Sequence, residues 1–379
     1  MIEPEKYCDF LQAAGIPFAV GVPDSLLAPF CACVADRYGE RHHRIVANEG
    51  AAIAMATGYY LASRQPALVY LQNSGQGNTV NPLTSLADPE VYGIPMLMLV
   101  GWRAAPGCAD EPQHVKQGRI TSQLFDVLEI PHAVLPDDSD DACAITQQLI
   151  EESIQNARPV ALLVRPKTFA GYASVADRQR ANQHEIGREE AIEALMRAVP
   201  KHAVMVSTTG HISRELFELR EQYGASHQQD FYTVGGMGHA SQIALGMAIA
   251  QPQRPVICID GDGAWLMHMG SVPIIGQSPE VDHFRHVVLN NGVHGSVGGQ
   301  PTVALDLDLP ALAKASGYRY AERVALRSDL EGAIDTWLQA PGAALLEIRV
   351  RSDFRADLGR PSSTPKENKR ALMTYLAQN

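Results

Sequence analysis

The chain has 379 residues, 46% of them hydrophobic, with a net charge of −11 and a pI near 5.6. That length exceeds one average domain and suits two, each able to bury its own core. Acidic and basic residues are interspersed without a basic stripe, which argues against a nucleic-acid partner. The longest apolar run, around Ile94 to Gly101, is too short to span a bilayer, and the charged start Met1-Ile2-Glu3-Pro4-Glu5-Lys6 leads into no apolar signal segment. A soluble, cytoplasmic protein is expected, and its scattered cysteines, none in a CxxC pair, read as reduced thiols.

Short apolar runs alternate with amphipathic stretches along both halves. Phe18 to Val22, Ala67 to Leu71, Met96 to Val100 and Val160 to Val164 read as strands in the first half. Ala203 to Val206, Val256 to Ile259, His286 to Leu289 and Ala344 to Ile348 do so in the second. The runs are continuous rather than alternating, as in parallel strands covered on both faces, so the expected fold is α/β with two doubly wound parallel-sheet domains and no middle domain. A polar, aperiodic stretch around Ala173 to Glu185 reads as a linker, dividing the chain into 1–170, 171–187 and 188–379. Cys31-Ala-Cys33 falls in a predicted helix, and Asp353 to Lys369, rich in Arg, Pro, Ser and Thr, reads as a loop or lid.

The chemistry-bearing motifs follow strands. Val256 to Ile259 runs into Asp260-Gly261-Asp262-Gly263-Ala264, with a helix expected from Trp265. Roughly thirty residues on, about one strand–helix–strand unit, a second strand ends in Asn290-Asn291-Gly292-Val293. An Asp carboxylate, an Asn amide oxygen and a backbone carbonyl make an oxygen shell suited to Mg²⁺, with phosphates completing the octahedron. Two unrelated strand-end turns are the plainer alternative. Asn48-Glu49-Gly50 opens an Ala-rich helix, where Glu49 could simply complement the helix dipole. Ser207-Thr208-Thr209-Gly210-His211 joins a strand to a helix, as anion sites and ordinary caps both do. Val234-Gly235-Gly236-Met237-Gly238 is a glycine cluster without dinucleotide-loop spacing.

Taken together, Gly261-Asp262-Gly263 and Asn290-Asn291 resemble the signature of thiamine-diphosphate-dependent enzymes. The resemblance implies Mg²⁺ on Asp262, Asn291 and the Val293 carbonyl, with Asn290 structural. It implies cofactor contacts from Thr208, Thr209, Gly210, His211, Gly261, Gly263 and Ala264; Ala264 stands where relatives often carry Ser. Met237 would wedge beneath the two rings, the Gly235 carbonyl would accept from the amine, and Glu49 would hydrogen-bond the pyrimidine ring and promote its imino tautomer. Within this family the short form is similar to phosphonopyruvate and sulfopyruvate decarboxylases. Gly21-Val22-Pro23-Asp24-Ser25, Gln72 to Asn78, Gly101-Trp102-Arg103, Asp110-Glu111-Pro112-Gln113-His114 and Asp357 to Pro361 carry that similarity along nearly the whole chain.

The implied substrate is a small anionic 2-keto acid and the implied pathway phosphonate biosynthesis, with sulfopyruvate decarboxylation or a carboligase as alternatives. Asp24, Ser25, Ser74, Gln76, Arg103 and His114 are the expected substrate residues. Glu49, His114 and Asp24 are the expected catalytic ones, His114 being chosen because imidazole titrates near neutrality. Lys116 and Arg119 could also meet an anion, His294 and Ser296 could line the cavity, and His42-His43 is a less favoured pair. Ala109 and His211 replace lysines common in relatives, which leaves the headgroup open. Relatives build each site from two subunits, so an obligate homodimer or larger homo-oligomer is expected.

Overall fold

The computed structural model describes residues 1–174, 184–279 and 281–378. Most of the expected linker, 175–183, lies outside them. Contacts divide the chain into two compact units, Met1–Arg180 with Ser296–Gln300, and Ala181–Gly295 with Pro301–Asn379.

The first unit is built on a parallel sheet of β1 (Ala19–Gly21), β2 (His43–Ile45), β3 (Ala67–Gln72), β4 (Met96–Gly101), β5 (His132–Val134) and β6 (Pro159–Val164), ordered β2-β1-β3-β4-β6-β5. The second carries β7 (Val204–Ser207), β8 (Asp230–Tyr232), β9 (Val256–Gly261), β10 (Phe284–Asn290), β11 (Tyr320–Val324) and β12 (Ala344–Arg349), ordered β11-β12-β10-β9-β7-β8. Every pairing given for these strands is parallel. This is the expected α/β architecture.

Both faces of each sheet are buried, which is why the central strands are apolar without interruption. In β3, Leu68 and Tyr70 join one core while Val69 and Leu71 join the opposite one. In β9, Ile257 and Ile259 face one core and Val256 and Cys258 the other. At roughly 25 cal/mol per Å² of apolar surface, these layers dominate the favourable side of folding. No helix among the described residues is long and apolar enough to cross a membrane. The cysteines are free thiols, with Cys31 and Cys33 buried in the helix Ala28–His42 as expected.

The C-terminal stretch differs in part from its loop reading. A helix begins at Pro365, where proline suits the first turn and Thr364 accepts from the Glu367 amide at 3.3 Å. The preceding segment is tied down within the second unit: Arg355 donates to Glu189 at 2.6 Å and also to Glu218, which accepts from the Gly359 amide.

Arg188 and Glu215 form a bidentate pair buried in this unit, the two residues being 6% and 1% exposed, with Arg188 Nε donating at 2.6 Å. Removing one partner strands the other charge. Arg188→Ala should lower unfolding free energy by about 3–5 kcal/mol in chemical denaturation, whereas Arg188→Met combined with Glu215→Leu should recover most of it.

Candidate active site

In the second unit the chemistry gathers at the C-terminal edge of the sheet. Gly261 is the last residue of β9 and the extended cap of the helix Asp262–Met267 (φ −92°, ψ 160°). The helix therefore starts three residues before the expected Trp265, and Asp262, Gly263 and Ala264 occupy its first turn. Beside it, β10 ends in Asn290, and Gly292 takes φ +71° to turn the chain. Asn291 Oδ1 accepts from the Val293 amide at 3.1 Å. Asn290 is fully buried: Nδ2 donates to Glu347 Oε1 at 2.8 Å and to the Ala304 carbonyl at 3.2 Å, while Oδ1 accepts from the Gly292 amide at 3.1 Å. Arg323 and Arg349 each reach Glu347 at 2.7 Å, which compensates its buried charge.

Asp262 is 2% exposed, and burial pushes its carboxyl up to about 6. The Thr302 hydroxyl donates to its Oδ2, and the Thr302 amide donates to the Gly292 carbonyl at 2.8 Å. One residue thus links both sides of the oxygen cluster. A Cβ on Gly263 would lie 2.8 Å from the His294 ring and 3.6 Å from Met237 Cε, so both side chains approach the helix start. Burial also pushes His294 down to about 4, leaving it neutral at pH 7. From β7, the Thr209 hydroxyl accepts from the Gly235 amide at 3.0 Å and ties the two loops together. Thr208 Oγ1 is buried with no hydrogen-bond partner among the described residues. His211 opens the helix His211–Gln222 and stacks on Phe354, with ring centroids 4.5 Å apart. Its pKa is pushed down to about 4 by burial, with Arg188 and Arg214 acting in the same direction, so it supplies no charge where a lysine would.

Behind this edge, Cys258, Asp260 and His286 form a buried cluster. His286 Nε2 lies 3.1 Å from Asp260 Oδ2, its Nδ1 lies 3.0 Å from the Tyr318 hydroxyl, and the Cys258 thiol lies 3.6 Å from Asp260 Oδ2. These are direct hydrogen bonds within the sheet core.

In the first unit Glu49 opens the helix Glu49–Ser63, whose Asn48 cap accepts from the Ala51 amide at 3.0 Å. Glu49 is 5% exposed, and burial raises its pKa against the opposing hydrogen bond from Asn78 Nδ2, 2.7 Å from Oε2. A Cβ on Gly75 would sit 2.0 Å from Glu49 Oε1, so only glycine leaves room for the carboxylate there.

The loops after β1 and β4 form a second group. Asp24 is fully buried, and burial pushes its carboxyl up to about 6 although Arg103 favours the ionised form. Neither oxygen makes a well-formed hydrogen bond among the described residues, though the Ser25, Leu26 and Leu27 amides lie close enough to oppose the shift. Arg103 donates through Nε to Asp110 Oδ2 at 2.7 Å, through Nη2 to Oδ1, and through Nη1 to Ser25 Oγ at 3.0 Å. His114 is 8% exposed with Nδ1 2.9 Å from Asp110 Oδ1, and burial holds it below the usual imidazole range. Gln76 is buried and donates to the Thr121 carbonyl at 3.1 Å, whereas Ser74 is exposed. Lys116, Arg119 and Ser296 are exposed, and His43 is a buried residue of β2 whose Nε2 lies 2.7 Å from the Tyr70 hydroxyl.

Residues 5–126 match the family model "Thiamine pyrophosphate enzyme, N-terminal TPP binding domain", and residues 208–348 match its C-terminal counterpart. The chain is 36% identical to a phosphonopyruvate decarboxylase of Streptomyces viridochromogenes, across 97% of this chain and 93% of that one. It is 35% identical to a phosphonopyruvate decarboxylase of Streptomyces hygroscopicus, across 100% of this chain and 95% of that one. A sulfopyruvate decarboxylase of Methanosarcina acetivorans is 25% identical across 88% of this chain and 86% of that one. The chain belongs to the thiamine pyrophosphate enzymes.

Thiamine diphosphate and Mg²⁺ are the cofactors of this family member, and its residues suit them. Asp262, Asn291 and the Val293 carbonyl could offer Mg²⁺ only hard oxygen donors. The unpartnered Thr208 hydroxyl could meet a diphosphate oxygen, and the raised pKa of Glu49 fits a carboxyl that shares a proton with a ring nitrogen. Asp110, Asn78 and Gly75 lie in stretches that carry the resemblance but have no role assigned from sequence, and Thr302 lies in none. The Asp-x-x-x-His spacing of Asp110 and His114 was the one signal that could have found a member of that group.

Thr302→Val removes the hydroxyl on Asp262 and nearly preserves shape. It should weaken Mg²⁺ binding about 10–100-fold in a metal titration followed by Trp265 fluorescence. For Asp24 the folded pKa lies above the ordinary 3.8, so its neutral form is favoured by folding below that value and the benefit is lost as pH rises through about 6. Asp24→Asn should therefore stabilise the protein by about 3 kcal/mol at alkaline pH and by little below about pH 4, as melting temperatures across pH will reveal.

Proposed function

We propose that this chain decarboxylates phosphonopyruvate to phosphonoacetaldehyde and CO₂. The observation that carries the reading is 36% identity to a phosphonopyruvate decarboxylase across 97% of the chain. When bound, thiamine diphosphate supplies the electron sink that a 2-keto acid needs before it can lose CO₂. Asp262, Asn291 and the Val293 carbonyl hold Mg²⁺, and Thr208, Thr209, Gly210, His211 and the Gly261–Ala264 backbone receive the diphosphate. Met237 would support the rings, the Gly235 carbonyl would accept from the amine, and Glu49 would share a proton with the pyrimidine nitrogen.

Asp24, Ser25, Ser74, Gln76, Arg103 and His114 serve the substrate. Asp24, with its carboxyl pushed up to about 6, exchanges a proton close to neutral pH, and neutral His114 can accept one and return it once charged. Segments 1–170 and 188–379 act as pyrimidine-binding and diphosphate-binding domains. The working form is a homodimer or a larger multiple in which Glu49 of one copy serves the cofactor held by Asp262 of another.

Sulfopyruvate is the second reading, favoured by the Methanosarcina acetivorans relative and by the loss of two family lysines at Ala109 and His211. Aldehyde release from both acids, with thiamine diphosphate and Mg²⁺ present and then withheld, decides between them. Phosphonopyruvate should turn over only with both cofactors, and Glu49→Gln should lower kcat by roughly 10²–10⁴-fold. A preference for sulfopyruvate overturns the substrate assignment, and full activity in Glu49→Gln overturns the mechanism. The active preparation should have the mass of two chains or more by light scattering.

A further inference from the structure

We infer that Asp110 is the positioning residue of the substrate cluster, a single carboxylate that fixes the tautomer of His114 and holds the Arg103 guanidinium against Ser25. The inference rests on the decarboxylase reading for its kinetic consequence, though not for its structural one.

Both oxygens of Asp110 are committed. Oδ1 meets His114 Nδ1 at 2.9 Å, the Glu111 amide at 2.8 Å and Arg103 Nη2. Oδ2 accepts from Arg103 Nε at 2.7 Å and from the Ala104 amide at 2.9 Å. A carboxylate receiving so many donors stays ionised, and its pKa is held far below the usual range: burial raises it, and the bonds from Arg103, His114 and the Glu111 amide overcome that. An ionised carboxylate only accepts, so Nδ1 of neutral His114 must carry the hydrogen. Nε2 is then the acceptor, and it is the ring nitrogen left to serve the substrate.

The same carboxylate changes the role of Arg103. Nε and Nη2 are spent on Asp110 in a bidentate grip, and Nη1 reaches Ser25 Oγ at 3.0 Å. Much of the guanidinium charge is neutralised before substrate arrives. Arg103 therefore acts chiefly by orienting the Ser25 hydroxyl and by favouring the ionised form of Asp24. The side chains of Asp110 and Arg103 are 9% and 18% exposed, so the grip is largely shielded from solvent.

Two variants test the idea, Asp110→Ala and the volume-preserving Asp110→Asn, with the holoenzyme made from ¹⁵N-histidine and His114→Gln used to assign the signal. In the parent, His114 should show a protonated Nδ1 and an unprotonated Nε2. In Asp110→Ala it should shift towards the Nε2-protonated tautomer while the other histidine signals stay in place. Phosphonopyruvate kcat should fall roughly 10–100-fold with a smaller change in KM, and Asp110→Ala combined with His114→Ala should lose little beyond His114→Ala alone. A parent ring protonated at Nε2, an unchanged tautomer in both variants, or fully additive losses in the double variant would overturn the proposal. If the parent turns over no phosphonopyruvate, the functional reading fails, and the tautomer measurement still decides the role of Asp110.

Discussion

Gly261 of β9 stands opposite Leu289 of β10 in the parallel register, and that alignment sets where the metal-binding oxygens can be. Parallel strands release their following loops at the same edge, so the residues just past each strand become neighbours however far apart they lie in sequence. Asp262 and Asn291 meet for this reason. The buried Asn290–Glu347 pair then holds the β10 turn to β12, and Thr302 closes the arrangement from the far side of the loop. The first unit repeats the device: Asp24 follows β1, the Ser74 and Gln76 stretch follows β3, and Arg103 follows β4. A rigid, two-sided core carries loops that can be polar.

Much of this was legible before any coordinates. The central strands announce themselves as unbroken apolar runs because both their faces are covered. The expected boundaries at Ala67, Met96, Val256 and Ala344 fall on the first residues of β3, β4, β9 and β12. The edge strands were not legible, and the reason is physical. β2, β5 and β8 are three residues long, and β11 interleaves exposed Glu322 and Arg323 with apolar neighbours, so none offers a continuous run.

The site divides along the same line. Glycine-flanked carboxylates and amides at strand ends can be recognised by local rules, which is how Asp262, Asn291 and Glu49 were found. Thr302, forty residues from its carboxylate, and Asn78, twenty-nine from Glu49, are joined only by tertiary structure. The early start of the helix at Asp262 was missed because glycine at either side suggests a loop, whereas Gly261 in extended conformation serves as a cap. The sequence marks Arg103 as a substrate residue but cannot show that Asp110 already grips it.

The buried Cys258–Asp260–His286 group has a consequence for how the chain finds its fold. Side chains alternate faces along a strand, and His286 pairs directly with Cys258 across β9 and β10. A slip of one residue would turn His286 to the opposite face, abandon Asp260 in an apolar layer, and move Asn291 about 3.3 Å along the strand from Asp262. The apolar residues around it would tolerate such a slip far better, since valine, isoleucine and leucine are nearly interchangeable as contacts. The polar group therefore proofreads the alignment: a misregistered sheet is penalised in the core before it can present a misaligned edge to solvent.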